Sequence, residues 1–293
     1  MVLPGALWIF LYNYVPMFGV VVAFKDFKFS RKGFLHALIT SEWVGLDNFR
    51  FIFESKDALL ITRNTLCYNL TFIVAGTIFA IALAIALSRM RNQKLAKIYQ
   101  TGIFLPYFLS WVVAAYFLKI FLNPEFGFCN AILGKFGIGP IDWYMEPKYW
   151  PGLLVFMGLW KGTGYSAIVY LASITGIDKA YYEAAMIDGA SEWQQIKHIT
   201  IPSIVPVMII LVLLSVGRIF NADFGLFYQL PLNSGPLFEV TNVLDTYIFR
   251  AMRCMGDIGM PAAAGLYQSC VGFVFIMVSN WVVRRYDEQK ALF

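Results

Sequence analysis

Six continuously apolar runs divide the chain: Val2 to Phe24, Thr65 to Leu87, Thr101 to Leu122, Trp150 to Ile174, Ile204 to Phe220 and Ala262 to Val283. Each approaches the roughly 20 residues that carry an α-helix across a hydrocarbon core. Within each run the apolar residues are continuous rather than alternating, so the pattern predicts helices and not the strands of a barrel. A spanning helix also satisfies its own backbone hydrogen bonds where water is absent. The expected fold is all-α and polytopic, with six transmembrane helices in one domain over residues 1–293. The first run lacks the basic flank and small-residue cleavage site of a removable signal peptide and reads as a true span.

One polar interruption has a pattern of its own: YYEAAMIDGASEWQQIKHITIP, from Tyr181 to Pro202. Asp178 is placed to cap a short helix from Lys179 to Asp188, with Glu183 in its early turns, where negative charge suits the helix dipole. Gly189 supplies the permissive backbone for a turn. Ser191 followed by Gln194 has the spacing of a capping box, and Pro202 is suited to open the fifth span. The predicted loop, residues 176–202, is a helix, a turn and a second helix at the membrane surface. Read from these residues alone, an interfacial amphipathic linker is an equal alternative.

Composition supports the membrane assignment: 59% of the residues are hydrophobic and 14% charged, against roughly 45–50% and about 25% in soluble domains. The net charge of +5 is spread over the loops, which argues against a nucleic-acid partner. Cys67, Cys129, Cys254 and Cys270 are widely separated and form no metal-binding or redox pattern. With two histidines, His36 and His198, and no H-E-x-x-H, an intramembrane enzyme has little support. A secondary transporter would need paired repeats and ion-coupling sites within the membrane, and neither is visible. Basic residues divide almost evenly between the two sets of loops and leave orientation open by count. The dense cluster Arg89, Arg91, Lys94 and Lys97, with Arg284 and Arg285 after the last span, favours both termini inside.

Polar and ionisable side chains within spans usually face a cavity or protein interior. The candidates for a solute path are Trp160, Lys161 and Tyr165 in the fourth span, Asn221 and Asp223 beyond the fifth, and Tyr267 and Gln268 in the sixth. Aromatic faces beside amide and carboxylate groups suit a sugar. Each residue also has a structural reading: Trp160 facing lipid, Gln268 or Asn280 bonding a neighbouring helix, Arg218 reaching the outer surface.

The pattern Glu183-Ala184-Ala185, three residues, Gly189, nine residues, Ile199, one residue, Ile201-Pro202 resembles the EAA loop of binding-protein-dependent ABC importer permeases, with Ile201 where leucine is usual. The stretches VPMFGVVVAFKDF, WVGLDNFRFIF, YLASITGIDKAYYEAAMIDGAS, LDTYIFR and AAAGLYQSCVGFVFIMVSN are similar to the sugar-importing branch that works with lipoprotein receptors for oligosaccharides. The resemblance implies a type I ABC importer permease fold in a bacterial plasma membrane, with the EAA loop and both termini cytoplasmic. It assigns ATPase coupling to Glu183, Ala184, Ala185, Asp188 and Gly189. It also implies a second homologous permease, two ATPase subunits that bind ATP and Mg, an extracellular or periplasmic solute-binding protein, and an oligosaccharide cargo, with amino acids or peptides as the alternative. This chain has no G-x-x-x-x-G-K-[ST] phosphate loop, so no cofactor is expected in it and the energy source lies in another polypeptide. TNVLDTYIFRAM can form an amphipathic helix with Val243, Leu244, Tyr247 and Ala251 on one side. By resemblance it lines the outer mouth together with GLDNFRFIF.

Overall fold

The computed structural model describes residues 2–28, 33–50, 56–256 and 258–286. Part of the proposed outer-mouth segment, Phe51 to Phe53, lies outside the described residues. Among the described residues all regular elements are helical, apart from one isolated bridge between Lys25 and Trp43. Five helices are long and apolar enough to span: α1 (Leu3–Phe24), α3 (Lys56–Ser88), α7 (Trp150–Thr175), α9 (Glu192–Val216) and α11 (Gly259–Tyr286). Between them lie α2 (Phe34–Thr40), α4 (Gln93–Phe108), α5 (Trp111–Phe121), α6 (Phe128–Lys135), α8 (Lys179–Ile187) and α10 (Leu244–Arg250).

The third apolar run departs from expectation. Thr101 to Leu122 is not one helix: α4 and α5 meet at a 97° bend. Pro106, inside the last turn of α4, lacks an N–H and crowds the preceding turn. Leu109 and Ser110 are extended, and the Ser110 hydroxyl accepts from the Val113 N–H at 3.2 Å, starting α5 as a new helix. Hydropathy could not register this break, because the residues around it are as apolar as those of a straight span.

The fifth span also differs. Pro202 does not open a separate helix; the chain runs helically from Glu192, through a π-type turn at Ile196–Thr200, into Ile201–Val216. The wider turn accommodates a proline whose ring would clash with the carbonyl four residues earlier. Past Val216 the predicted continuation to Phe220 is turn.

α3, at 33 residues, is about 50 Å long at 1.5 Å per residue, well beyond the predicted Thr65–Leu87. Its N-terminal half carries polar side chains that bond the irregular segment between α9 and α11. Asn64 donates to the carbonyls of Glu239 and Asn242 (2.9 and 3.1 Å), Tyr68 to Val240 (2.9 Å), and Asn69 to Ile219 and Asn221 (2.9 and 3.2 Å). The Thr65 hydroxyl accepts from the Leu244 N–H.

α7 is central, packed along α3 and against α4 and α9. Two apolar cores form at opposite ends of the α3–α7 contact. One joins Tyr68 to Trp150, Leu154, Leu226 and Phe227; the other joins Ala80, Ala84 and Leu87 to Ala167, Tyr170, Ile174 and Ile204. Small residues permit the close approach: a Cβ on Gly164 would overlap the Ile103 carbonyl oxygen of α4. Gly164→Val is therefore expected to force α4 and α7 apart and destabilise the fold by about 1–3 kcal/mol. Thermal unfolding in detergent checks this, and an unchanged midpoint would refute the close contact.

Candidate functional site

Between the two cores lies a cavity of about 670 Å³, walled by α3 (Phe72, Gly76, Thr77), α7 (Lys161, Thr163, Tyr165, Ser166), α9 (Leu211, Leu214, Ser215) and the bend between α4 and α5 (Tyr107, Trp111). Arg218 and Asp223 complete its wall beyond the end of α9. Lys161 Nζ donates to the Tyr107 carbonyl oxygen at 2.6 Å and stands 5.4 Å from the ring centroids of both Tyr107 and Trp111. That bond satisfies one of the carbonyls orphaned where α4 ends. Tyr165 stacks on Tyr107, with centroids 5.0 Å apart and an interplanar angle of 18°. Trp111 Nε1 donates to Asp223 Oδ2 at 2.8 Å, while Asp223 Oδ1 accepts from the Gly225 and Leu226 N–H groups. The wall thus combines stacked rings with fixed charges and has no arrangement of nucleophile and base.

Of the seven sequence candidates for the solute path, Lys161, Tyr165 and Asp223 line this cavity and four do not. Trp160 faces the opposite way, into an apolar hollow of about 480 Å³ shared with Leu109, Phe117 and Phe156. Asn221 is exposed, and its backbone carbonyl receives Asn69. Tyr267 packs edge-on against Phe220, centroids 5.8 Å apart. Gln268 is buried and donates to the Phe220 carbonyl (2.8 Å) and to Asp245 Oδ2 (3.3 Å). Asp245 also accepts from the Ala222 N–H at 2.7 Å, yet burial pushes its carboxyl above the usual carboxylate range. Tyr267 and Gln268 therefore hold the outer segment in place. Sequence reasoning missed Tyr107 and Trp111. The signal that could have found them was the pair Pro106 and Ser110, a helix stop and a helix cap four residues apart.

At the other end the polar loop takes the expected shape. Asp178 accepts from the Ala180 N–H at 2.9 Å and caps α8. Gly189 turns the chain with φ +80°, and Ser191 and Gln194 form a reciprocal capping box. Glu183, Ala184 and Asp188 are exposed, as is Ile187 at 88%, whereas Tyr182 and Ala185 are half-buried. The inward stripe is clamped. Arg89, just past α3, lies 5.2 Å over the Tyr182 ring and donates through Nη1 to Gln195 Oε1 at 3.0 Å. The Tyr182 hydroxyl is 2.9 Å from Thr200 Oγ1 in the π-type turn of α9. The second Nη of Arg89 is buried with no hydrogen-bond partner among the described residues.

A loop helix fastened to two spans that also wall a central cavity fits a transporter subunit, and comparison with known proteins decides which kind. Residues 73–287 match the binding-protein-dependent transport system inner membrane component family. The chain belongs to that family. This permease is 34% identical over 289 residues to the polygalacturonan/rhamnogalacturonan transport system permease protein YteP of Bacillus subtilis (strain 168), covering 99% of this chain and 88% of the relative. It is 30% identical to Protein LplB of the same organism, covering 99% and 89%. A bacterial ABC transporter involved in the import of the acidic polysaccharide alginate has a solved chain with the same fold: TM-score 0.87, 30% identity, 98% of this chain and 94% of that one. A second solved structure, of the bacterial alginate ABC transporter in complex with alginate pentasaccharide-bound periplasmic protein, matches at TM-score 0.86 and 30% identity, covering 98% and 93%.

In this permease the Arg89 clamp should determine how firmly α8 is held. Arg89→Met keeps the packing stem and removes the charged hydrogen bond, worth about 1.5–3 kcal/mol in general. Hydrogen exchange over Lys179–Ile187 is expected to accelerate by about tenfold or more, with the protection of α7 unchanged. Equal exchange in the two proteins would show that α8 is held by something else.

Proposed function

We propose that this permease forms half of the translocation path of an ATP-driven, binding-protein-dependent importer of oligosaccharides. The observation that carries the reading is α8: it presents Glu183, Ala184 and Asp188 outward and is fastened on its inner side to α3 and α9. Those two helices supply Phe72 to Thr77 and Leu211 to Ser215 of the cavity wall. A push on α8 by a cytoplasmic ATPase would reach the cavity as a rigid-body movement of its walls. ATP and Mg are bound by two such ATPase subunits, a second homologous permease closes the path, and a solute-binding protein delivers cargo at the outer face. The oligosaccharide assignment draws on the polysaccharide systems named for two of the matched proteins, and on the stacked rings of Tyr107 and Tyr165.

Two experiments test this reading. Glu183→Lys reverses charge on the exposed face of α8, and Gly189→Pro imposes φ near −65° where the chain has +80°. Both variants should reach the membrane at normal abundance and abolish uptake of oligosaccharide. Normal uptake in either would remove the coupling role. For orientation, with the native cysteines replaced, a cysteine at Gln93 should resist a membrane-impermeant thiol reagent in intact cells and one at Glu125 should react. Both positions are exposed, and Arg89 already joins the basic turn to the α8 end of the molecule. The reverse labelling would invert the topology and detach α8 from any cytoplasmic ATPase.

A further inference from the structure

The cavity wall has an excess of positive charge that the fold itself does not use. Its ionisable lining groups, phenols aside, are Lys161, Arg218 and Asp223, two cations against one carboxylate. The Asp223 oxygens are fully engaged, by Trp111 Nε1 and by the N–H groups of Gly225 and Leu226. Lys161 uses one donor on the Tyr107 carbonyl, and an ammonium has three. Arg218 differs from both. It is exposed to the cavity, and among the described residues its guanidinium meets no hydrogen-bond or ion-pair partner. A charged side chain that lines a cavity next to a span without a protein partner is a candidate for contact with what passes. A guanidinium matches a carboxylate with two parallel N–H···O bonds, a geometry that a neutral sugar hydroxyl does not reproduce.

We propose that this cavity selects acidic sugars, with Arg218 pairing the carboxylate of uronic-acid units, Lys161 adding positive field, and the rings of Tyr107, Trp111 and Tyr165 taking the apolar sugar faces. The proposal rests on the oligosaccharide reading above and adds the charge of the cargo and the residue that recognises it. Lys161 is held where it stands by the end of α4, so its charge is a fixed feature of the wall. Arg218 lies two residues past the last residue of α9, a cation near a helix C-terminus, with its guanidinium open to a passing carboxylate.

The test uses the whole complex in proteoliposomes, with uptake of an oligogalacturonate measured beside that of the same oligomer after reduction of its carboxyl groups. Each variant is compared with wild type on each cargo separately, so the selectivity of the solute-binding protein cancels. Arg218→Gln is expected to lower the ratio of acidic to neutral uptake by about tenfold, the effect of losing one charge-assisted pair. Arg218→Lys should restore much of that ratio, since the charge survives without the fork. An unchanged ratio in Arg218→Gln, with both cargoes carried, would overturn the proposal and leave oligosaccharide import standing. If wild type accumulated neither cargo and neither stimulated ATP hydrolysis, the oligosaccharide reading would fail, and this proposal with it.

Discussion

Backbone groups left without partners at membrane depth govern this architecture, because hydrocarbon offers them no water. Where the chain departs from regular α-helix after its first span, two of the departures are closed by side chains and a third by a change of helical pitch. At the α4–α5 bend, Lys161 takes the Tyr107 carbonyl and Ser110 caps the following helix. In the segment after α9, Asn69 takes Ile219 and Asn221, Gln268 takes Phe220, and Asp245 takes the Ala222 N–H. Before Pro202, a π-type turn widens the helix enough to admit the ring. Asn64, Thr65 and Gln268, polar residues buried in the spans, are accounted for by this one requirement. The same requirement bears on the length of α3: its N-terminal half carries a row of hydrogen-bonding side chains for the segment between α9 and α11.

The cavity borders the first of these breaks. The 97° turn between α4 and α5 leaves Tyr107 and Trp111 on the cavity wall, facing Lys161. The lysine that stabilises the bend is also the cation on the cavity wall. Structural and binding roles are joined there, so a neutral residue at position 161 would lose the helix end before it lost any cargo. Arg218 carries no such structural duty, which is why selectivity can be separated from stability at that position and not at Lys161.

Local signals in the sequence were reliable where the responsible residues are neighbours. Asp178, Gly189, Ser191 and Gln194 act within four residues of themselves, and α8 and its turn formed as their spacing required. Five spans followed from hydropathy alone. Sequence reading failed where the deciding partner is distant. Gln268 and Tyr267 looked like lining residues because a buried amide and a phenol in a span are expensive unless used. Their use is to hold Phe220 and Asp245, nearly fifty and more than twenty residues away, and no spacing rule encodes that. Trp160 and Lys161 are adjacent on a helix and therefore point about 100° apart; Lys161 faces the cavity and Trp160 the apolar hollow, and hydropathy gave no means of choosing.

Attachment by a narrow stripe makes α8 suitable for carrying force. Tyr182 and Ala185, three residues apart, form its inward edge, while Tyr181, Glu183, Ala184, Met186 and Ile187 are exposed. A helix buried on a broad face would lie within the bundle and leave little surface for another protein to grip. One tethered only by its backbone would swing without moving anything. Here a single ring is held from two sides, by the Arg89 guanidinium and by the Thr200 hydroxyl; Arg89 immediately follows α3 and Thr200 lies in α9, and both helices also wall the cavity. Displacing Tyr182 must therefore either break both contacts or shift α3 and α9 together. Because packed helices shift between discrete arrangements rather than deforming smoothly, a push at the exposed face of α8 would be converted into a change of cavity shape.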